Sequence, residues 1–176
     1  MSNYIKKNAK EEALYNNILL LSRNKIFYTN FNLDDIFQNR IHLIFIHISF
    51  LFTKIKQNKN KTLFKDFYQN MFDLIFKKID LNMREIGFGD VTINKNMRYL
   101  VKTFYNILLK SEDYKKMNLS EKNNFLTSCL EFKSIEKMSI NKALIDYFDK
   151  YQAFCFDLSL DSVLRCDFNF KNLLNL

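Results

Sequence analysis

Three sets of side chains in this 176-residue chain have types suited to chemistry, and their spacing limits what each can do. His42 and His47 lie five apart in "IHLIFIHISFLF". On a helix that spacing turns them roughly 140° from one another, too far for a two-histidine metal face, which needs a spacing near four. Core histidines with hydrogen-bond partners are the expectation. Cys129, Cys155 and Cys166 are odd in number and show no CxxC spacing, so neither a disulfide framework nor a zinc site is predicted, and a reducing compartment is the simplest setting. The carboxylate pairs Glu11 and Glu12, Asp34 and Asp35, and Asp146 with Asp149 lack a neighbouring nucleophile or metal-binding partner; helix-start charge and surface solvation account for them. The only glycines are Gly87 and Gly89, so there is no phosphate-cradling loop. We expect no enzyme, no metal and no cofactor.

These residues have to be positioned by helices. Apolar residues recur at helical spacing in "EEALYNNILLLS", from Ile36 to Ile55, from about residue 62 to 86, and from Met97 to Leu108. Asn94 is a candidate N-cap for the last of these, Ser120 for a fifth helix and Ser139 for a sixth containing Leu144, Tyr147, Phe148 and Tyr151. Strand-like alternation is confined to a three-residue extension at Val91–Ile93. The prediction is an all-α, single-domain bundle of about six to seven helices over residues 1–176. Ile41–Phe52 is apolar on nearly every side, which suits a central helix, and too short for the ~20 residues of a membrane span. No export or import signal is visible at the start of the chain.

Charge narrows the partners. Asn, Lys, Ile and Phe occur 22, 22, 17 and 19 times while Pro and Trp are absent, a pattern that A/T-rich codons would produce. Lys outnumbers Arg 22 to 5, so the net charge of +8 is weaker evidence for a nucleic-acid partner than it would otherwise be. Residues 1–110 carry +9 and residues 111–176 carry −1, which places any basic surface in the first two thirds. Lys54, Lys56, Lys59, Lys61 and Lys65 form the densest cluster, suited to lipid headgroups or ribosomal RNA, or else a solvated loop.

The glycines sit in "NMREIGFGDVTINKNM". Gly87 stands where a long helix should end and can close it in the left-handed conformation; Gly89 would let the backbone turn again before Asp90. Phe88 between them is either a plug into the core, the favoured reading, or an exposed aromatic offered to a partner. This joint would aim Arg84, Glu85, Asp90, Lys95 and Arg98 toward one surface, with Tyr105 beneath or beside it and Asp90 and Glu85 answering the basic residues of the second helix.

"MREIGFGDVTINKNMRYLVKTFYNIL" resembles the signature of the ubiquinol-cytochrome c chaperone family, through Arg84, Glu85, Gly87, Gly89, Asp90, Lys95, Met97, Phe104 and Tyr105. Upstream, Tyr15, Arg23, Phe27 and Tyr28, then Asp35, Arg40 and His47, are similar to the family's two earlier blocks. Lys25, Asp34 and Asn94 stand where the family tends to have proline; Asn32, Asn39 and Asn106 stand where it tends to have glycine. The resemblance covers about residues 14–110, and residues 111–176 are expected to form a helical C-terminal extension of the same domain.

The resemblance implies a non-enzymatic assembly factor of the cytochrome bc1 complex, one that binds newly made cytochrome b. It implies a small assembly-factor partner protein and the ribosome as further partners, and no DNA. The implied location is cytoplasmic and peripheral to the inner membrane in a bacterium, or the matrix side in a mitochondrion. The competing reading is a basic helical RNA- or ribosome-binding module without a membrane-protein client.

Overall fold

A computed structural model describes residues 9–57, 61–133, 141–168 and 170, apart from the side chains of Lys61 and Leu63. The described elements are α1 (Ala9–Ser22), α2 (Ile26–Thr29), α3 (Phe37–Lys56), α4 (Lys61–Ile86), α5 (Asp90–Asp113), a 3-10 turn (Tyr114–Lys116), α6 (Leu119–Cys129), α7 (Lys142–Asp157) and α8 (Leu160–Arg165). The all-helical expectation holds. Strand pairing among the described residues is limited to one antiparallel bridge, Leu33 with Phe132.

Helix α3 is the axis of the bundle. Every residue from Ile41 to Thr53 is buried, because α1, α4, α5, α7 and α8 all pack on it. Phe45 and Phe52 meet Phe104 of α5 edge-on at 5.2 and 6.1 Å, and Phe50 meets Tyr114 at 5.1 Å. Such contacts between large rings carry most of the apolar burial in a core of this kind. Thr53 on this helix bonds locally, its Oγ1 donating to the Ser49 carbonyl at 2.9 Å.

Both histidines are core residues, as expected. His47 Nδ1 donates to the Leu43 carbonyl at 2.6 Å, which leaves Nε2 to accept from the Tyr147 hydroxyl at 2.8 Å. Burial drives its pKa down to about 4. His42 Nδ1 donates to the Cys129 carbonyl at 2.5 Å, and burial lowers its pKa as well. The two rings thus serve different interfaces, α3 with α7 and α3 with the end of α6.

Helix starts differ from the sequence expectation at three places. Asn118, not Ser120, caps α6, because Asn118 Oδ1 accepts from Glu121 N at 3.0 Å while the Glu121 carboxylate accepts from Asn118 N at 2.8 Å. That reciprocal box satisfies two otherwise orphaned donors, which Ser120, already inside the first turn, cannot do. Helix α5 begins at Asp90, not after Asn94, and takes in Val91–Ile93, so the expected extension there is helical. Starting at Asp90 places a carboxylate in the first turn and lets Ile93 join the core. Asn141 caps α7, accepting from Leu144 N at 3.0 Å; Ser139 lies outside the described residues.

Asparagines replace expected glycines with two different outcomes. Asn32 holds a left-handed φ of 59°, a conformation that Asn tolerates better than most residues. Asn39 is fully buried and clamps the 32–35 turn to the 130–133 segment. Its amide donates to the Asp34 and Glu131 carbonyls at 2.8 Å each and accepts from Glu131 N at 2.8 Å.

Candidate functional site

The α4–α5 joint is built by the two glycines in unlike ways. Gly87 has φ 98°, its N–H donates to the Arg84 carbonyl at 2.9 Å, and Phe88 N–H donates to the Met83 carbonyl at 3.0 Å. This pair of bonds is a Schellman closure of α4, in which the position after the glycine packs back on the last turn. Gly89 is not left-handed: φ −75° and ψ 155° are extended values, and it serves as the N-cap of α5 without a side-chain bond. The joint is therefore one tight closure followed at once by a new helix.

Phe88 is 41% exposed, which is the exposed alternative and not the favoured core plug. Its position in the Schellman closure lays one side of the ring toward Met83 and leaves the other side open, because α5 departs one residue after Gly89. Ile86, Val91 and Tyr99 around it are 61, 85 and 54% exposed. With Leu81, five of the ten large apolar side chains exposed among the described residues fall within residues 81–99, so the apolar surface is concentrated at this joint.

Two clefts flank the start of α3 beneath that surface and share Phe37 and Ile41. The first, about 280 Å³, lies between α1, α3 and the end of α4; Leu19, Ile44 and Ile79 line it together with Tyr15, Arg23, Arg40 and Glu85. The second, about 210 Å³, lies between α3, the joint and α5, with Met83, Phe88, Tyr99 and Leu100 in its walls. Residues from all three family-like blocks therefore meet around one helix start: Tyr15 and Arg23 from the first, Arg40 from the second, Glu85 from the third. The exposed apolar residues Ile86, Val91 and Tyr99 and the cleft residues Tyr15, Arg23 and Phe37 are not among the expected site residues; the family-like matches at Tyr15 and Arg23 are the available signal.

The expected set of charged residues is divided. Arg84 is held by Asp80 at 2.8 Å and by Asp90 at 2.6 Å, and these carboxylates raise its pKa. Asp90 thus answers Arg84 of the preceding helix and not Lys95 or Arg98, because the Schellman turn brings the last turn of α4 beside the first of α5. Glu85 faces the first cleft and accepts from Asn82 Nδ2 at 3.4 Å. Lys95 and Arg98 are exposed on α5 and have no ion-pair partner among the described residues. Tyr105 does not lie beneath the joint. It is about 22 Å along α5 from Asp90, against Phe72 with ring centroids 6.0 Å apart.

The lysine cluster is likewise divided. Lys54 is half-buried, donates to the Phe156 carbonyl at the end of α7 and lies 5.9 Å from the Phe156 ring centroid. Lys56 pairs with Glu112 at 2.6 Å. Both are therefore engaged in holding α3 to α7 and α5, and a cation committed to a carbonyl or carboxylate is a poor headgroup ligand. Lys65 is exposed; Lys59 and the Lys61 side chain lie outside the described residues. Among the described residues no group of three or more His, Cys, Asp or Glu is placed to hold a metal ion, and no helix is long and apolar enough to cross a membrane.

The crystal structure of the Cbp3 homolog from Brucella abortus superposes with a TM-score of 0.77, covering 99% of this chain and 96% of that one at 19% identity. At that identity the likeness shows a shared fold. No curated protein matches the chain by sequence. The family model described as ubiquinol-cytochrome C chaperone matches residues 29–170, which reaches well past residue 110 and begins after the Tyr15 and Arg23 block. With most of its length matched in this way, the chain belongs to the ubiquinol-cytochrome c chaperone family.

Proposed function

We propose that this chain is a non-enzymatic chaperone that binds newly made cytochrome b and promotes assembly of the cytochrome bc1 complex. The observation that carries the reading, beside family membership, is the apolar joint face: Ile86, Phe88 and Tyr99 exposed over two clefts floored by α3. A client made of apolar helices needs such a face, because a helix laid in a groove contributes side chains at one-turn intervals that the groove must receive. The clefts supply two adjacent receptacles, and Phe37 between them is a shared wall. Arg23 and Glu85 at the first cleft would orient a polar group at the end of a client helix, while Arg40 beside them is held by Asp35 at 2.7 Å. The chain works peripherally at the inner membrane in this reading, where its client is inserted, with a small partner protein and the ribosome nearby.

The test uses a deletion strain complemented with variants of the gene. Deletion should lower the b-type haem spectrum of the bc1 complex and cytochrome b protein while cytochrome b transcripts persist. The double variant Phe88→Ser, Tyr99→Ser should stay folded with a modestly lowered melting temperature, since each ring is about half exposed, and accumulate as protein yet fail to restore the spectrum. A deletion strain with a normal spectrum removes the assignment. A double variant that complements fully moves the client off this face.

A further inference from the structure

The outer line of α5 is a cationic stripe with no counter-charge of its own. Residues 91–111 contain Lys95, Arg98, Lys102 and Lys110 and no carboxylate. Ile93, Leu100, Phe104, Ile107 and Ser111 bury the inner face of the helix. At 100° per residue, Val91, Lys95, Arg98, Lys102 and Leu109 fall on the opposite side within an arc of about 60°, and all five are exposed. Their spacing of four, three, four and seven makes a straight line about 27 Å long. The three central cations have no ion-pair partner among the described residues, since Asp90, the nearest carboxylate in sequence, is taken by Arg84. Tyr99 and Tyr105 stand along the flanks of the line, 54 and 44% exposed.

We propose that this face of α5 docks on the headgroups of an anionic lipid bilayer. The proposal deepens the peripheral-membrane part of the function above by assigning a side of the molecule to it, and it turns the expected lipid rim from the lysines between residues 54 and 65 to α5. Three unanswered cations one turn apart match a sheet of phosphates, and each Lys or Arg near an anionic surface strengthens binding several-fold. The composition at the ends of the line separates a bilayer from RNA. Val91 is 85% exposed and Leu109 is 62% exposed; aliphatic groups enter the interface beside headgroups, whereas nucleic-acid surfaces reward stacking and arginine. Tyrosines between the cations suit the same interface, where an apolar ring and a polar hydroxyl both find their medium. Tyr99 is shared with the joint face, so the bilayer surface and the client surface adjoin along α5.

The test is sedimentation of the purified chain with vesicles of phosphatidylcholine alone and of equimolar phosphatidylcholine and phosphatidylglycerol. The parent should bind the anionic vesicles and not the neutral ones. Lys95→Gln, Arg98→Gln, Lys102→Gln together should weaken that binding on the order of a hundredfold, while Lys77→Gln, Lys115→Gln, Lys150→Gln, an equal change of charge at exposed sites elsewhere, should weaken it far less. Equal losses in the two triples, or none in the first, overturn the proposal. Because the chain has no tryptophan, Leu109→Trp gives an independent readout: its emission should shift to the blue on anionic vesicles. A stripe variant that loses binding to single-stranded RNA and keeps its vesicle binding also overturns the proposal, and the chaperone assignment would stand in either case because it is read from haem spectra.

Discussion

Replacing Gly87 and Gly89 in turn tests the physical account of the joint. Gly87→Ala must hold a side chain at φ 98°, where an L-residue is disfavoured by roughly 1–2 kcal/mol. A Cβ there would meet no atom within 4 Å, so no clash adds to that figure and no repacking can relieve it. The loss should lower the melting temperature by about 2–8 °C, at ~2–4 °C per kcal/mol for a chain of this size. Gly89→Ala starts from ordinary extended angles, also with open space around the new methyl. Its restriction of the unfolded chain, worth ~0.4–1 kcal/mol, offsets the poorer N-cap, and the net should stay within ~0.5 kcal/mol. Gly89→Ser should stabilise, since α5 lacks a side-chain cap and a hydroxyl there reaches the free N–H groups of its first turn. Calorimetry or urea titration of the three variants reads the order directly. The reasoning fails if Gly89→Ala costs as much as Gly87→Ala, or if Gly87→Ala melts with the parent.

Two further outcomes follow from buried polar groups. His47 has a folded pKa of about 4 against ~6.5 unfolded, so its contribution is complete above pH ~6.5 and is lost as pH falls toward 4. The urea midpoint should drop over that window by an amount equivalent to ~3 kcal/mol, and less steeply in His47→Gln; an equally steep fall in the variant assigns the acid sensitivity elsewhere. Asn39→Gly introduces the residue that the resemblance implies at this position yet should destabilise by ~2–3 kcal/mol, because it leaves Glu131 N and two carbonyls without the bonds they now have. Stability equal to the parent's in the Asn39→Gly variant, read by the same urea titration, would mean that water replaces the clamp.

The sequence alone determined the features whose physics is local. The length and apolar continuity of Ile41–Phe52 required a helix surrounded by others, and that helix is the axis of the bundle. The five-residue spacing of His42 and His47 sent them to different interfaces whatever the packing. Gly87 closes α4 because the end of an apolar stripe followed by glycine is a local signal. Gly89 is illegible for the complementary reason: extended and left-handed glycines look alike in a sequence, and the direction in which α5 leaves the joint decides between them. The lysines between residues 54 and 65 look like a rim because sequence proximity says nothing of α7 and α5 arriving with a carbonyl for Lys54 and a carboxylate for Lys56. Only the tertiary structure could join Tyr15, Arg23, Arg40 and Glu85 around one cleft, since their meeting depends on how α1 and α4 cross α3. The exposure of Ile86, Phe88 and Tyr99 is hidden for the same reason: an apolar residue reads as core until the neighbour that would cover it is seen to pass elsewhere.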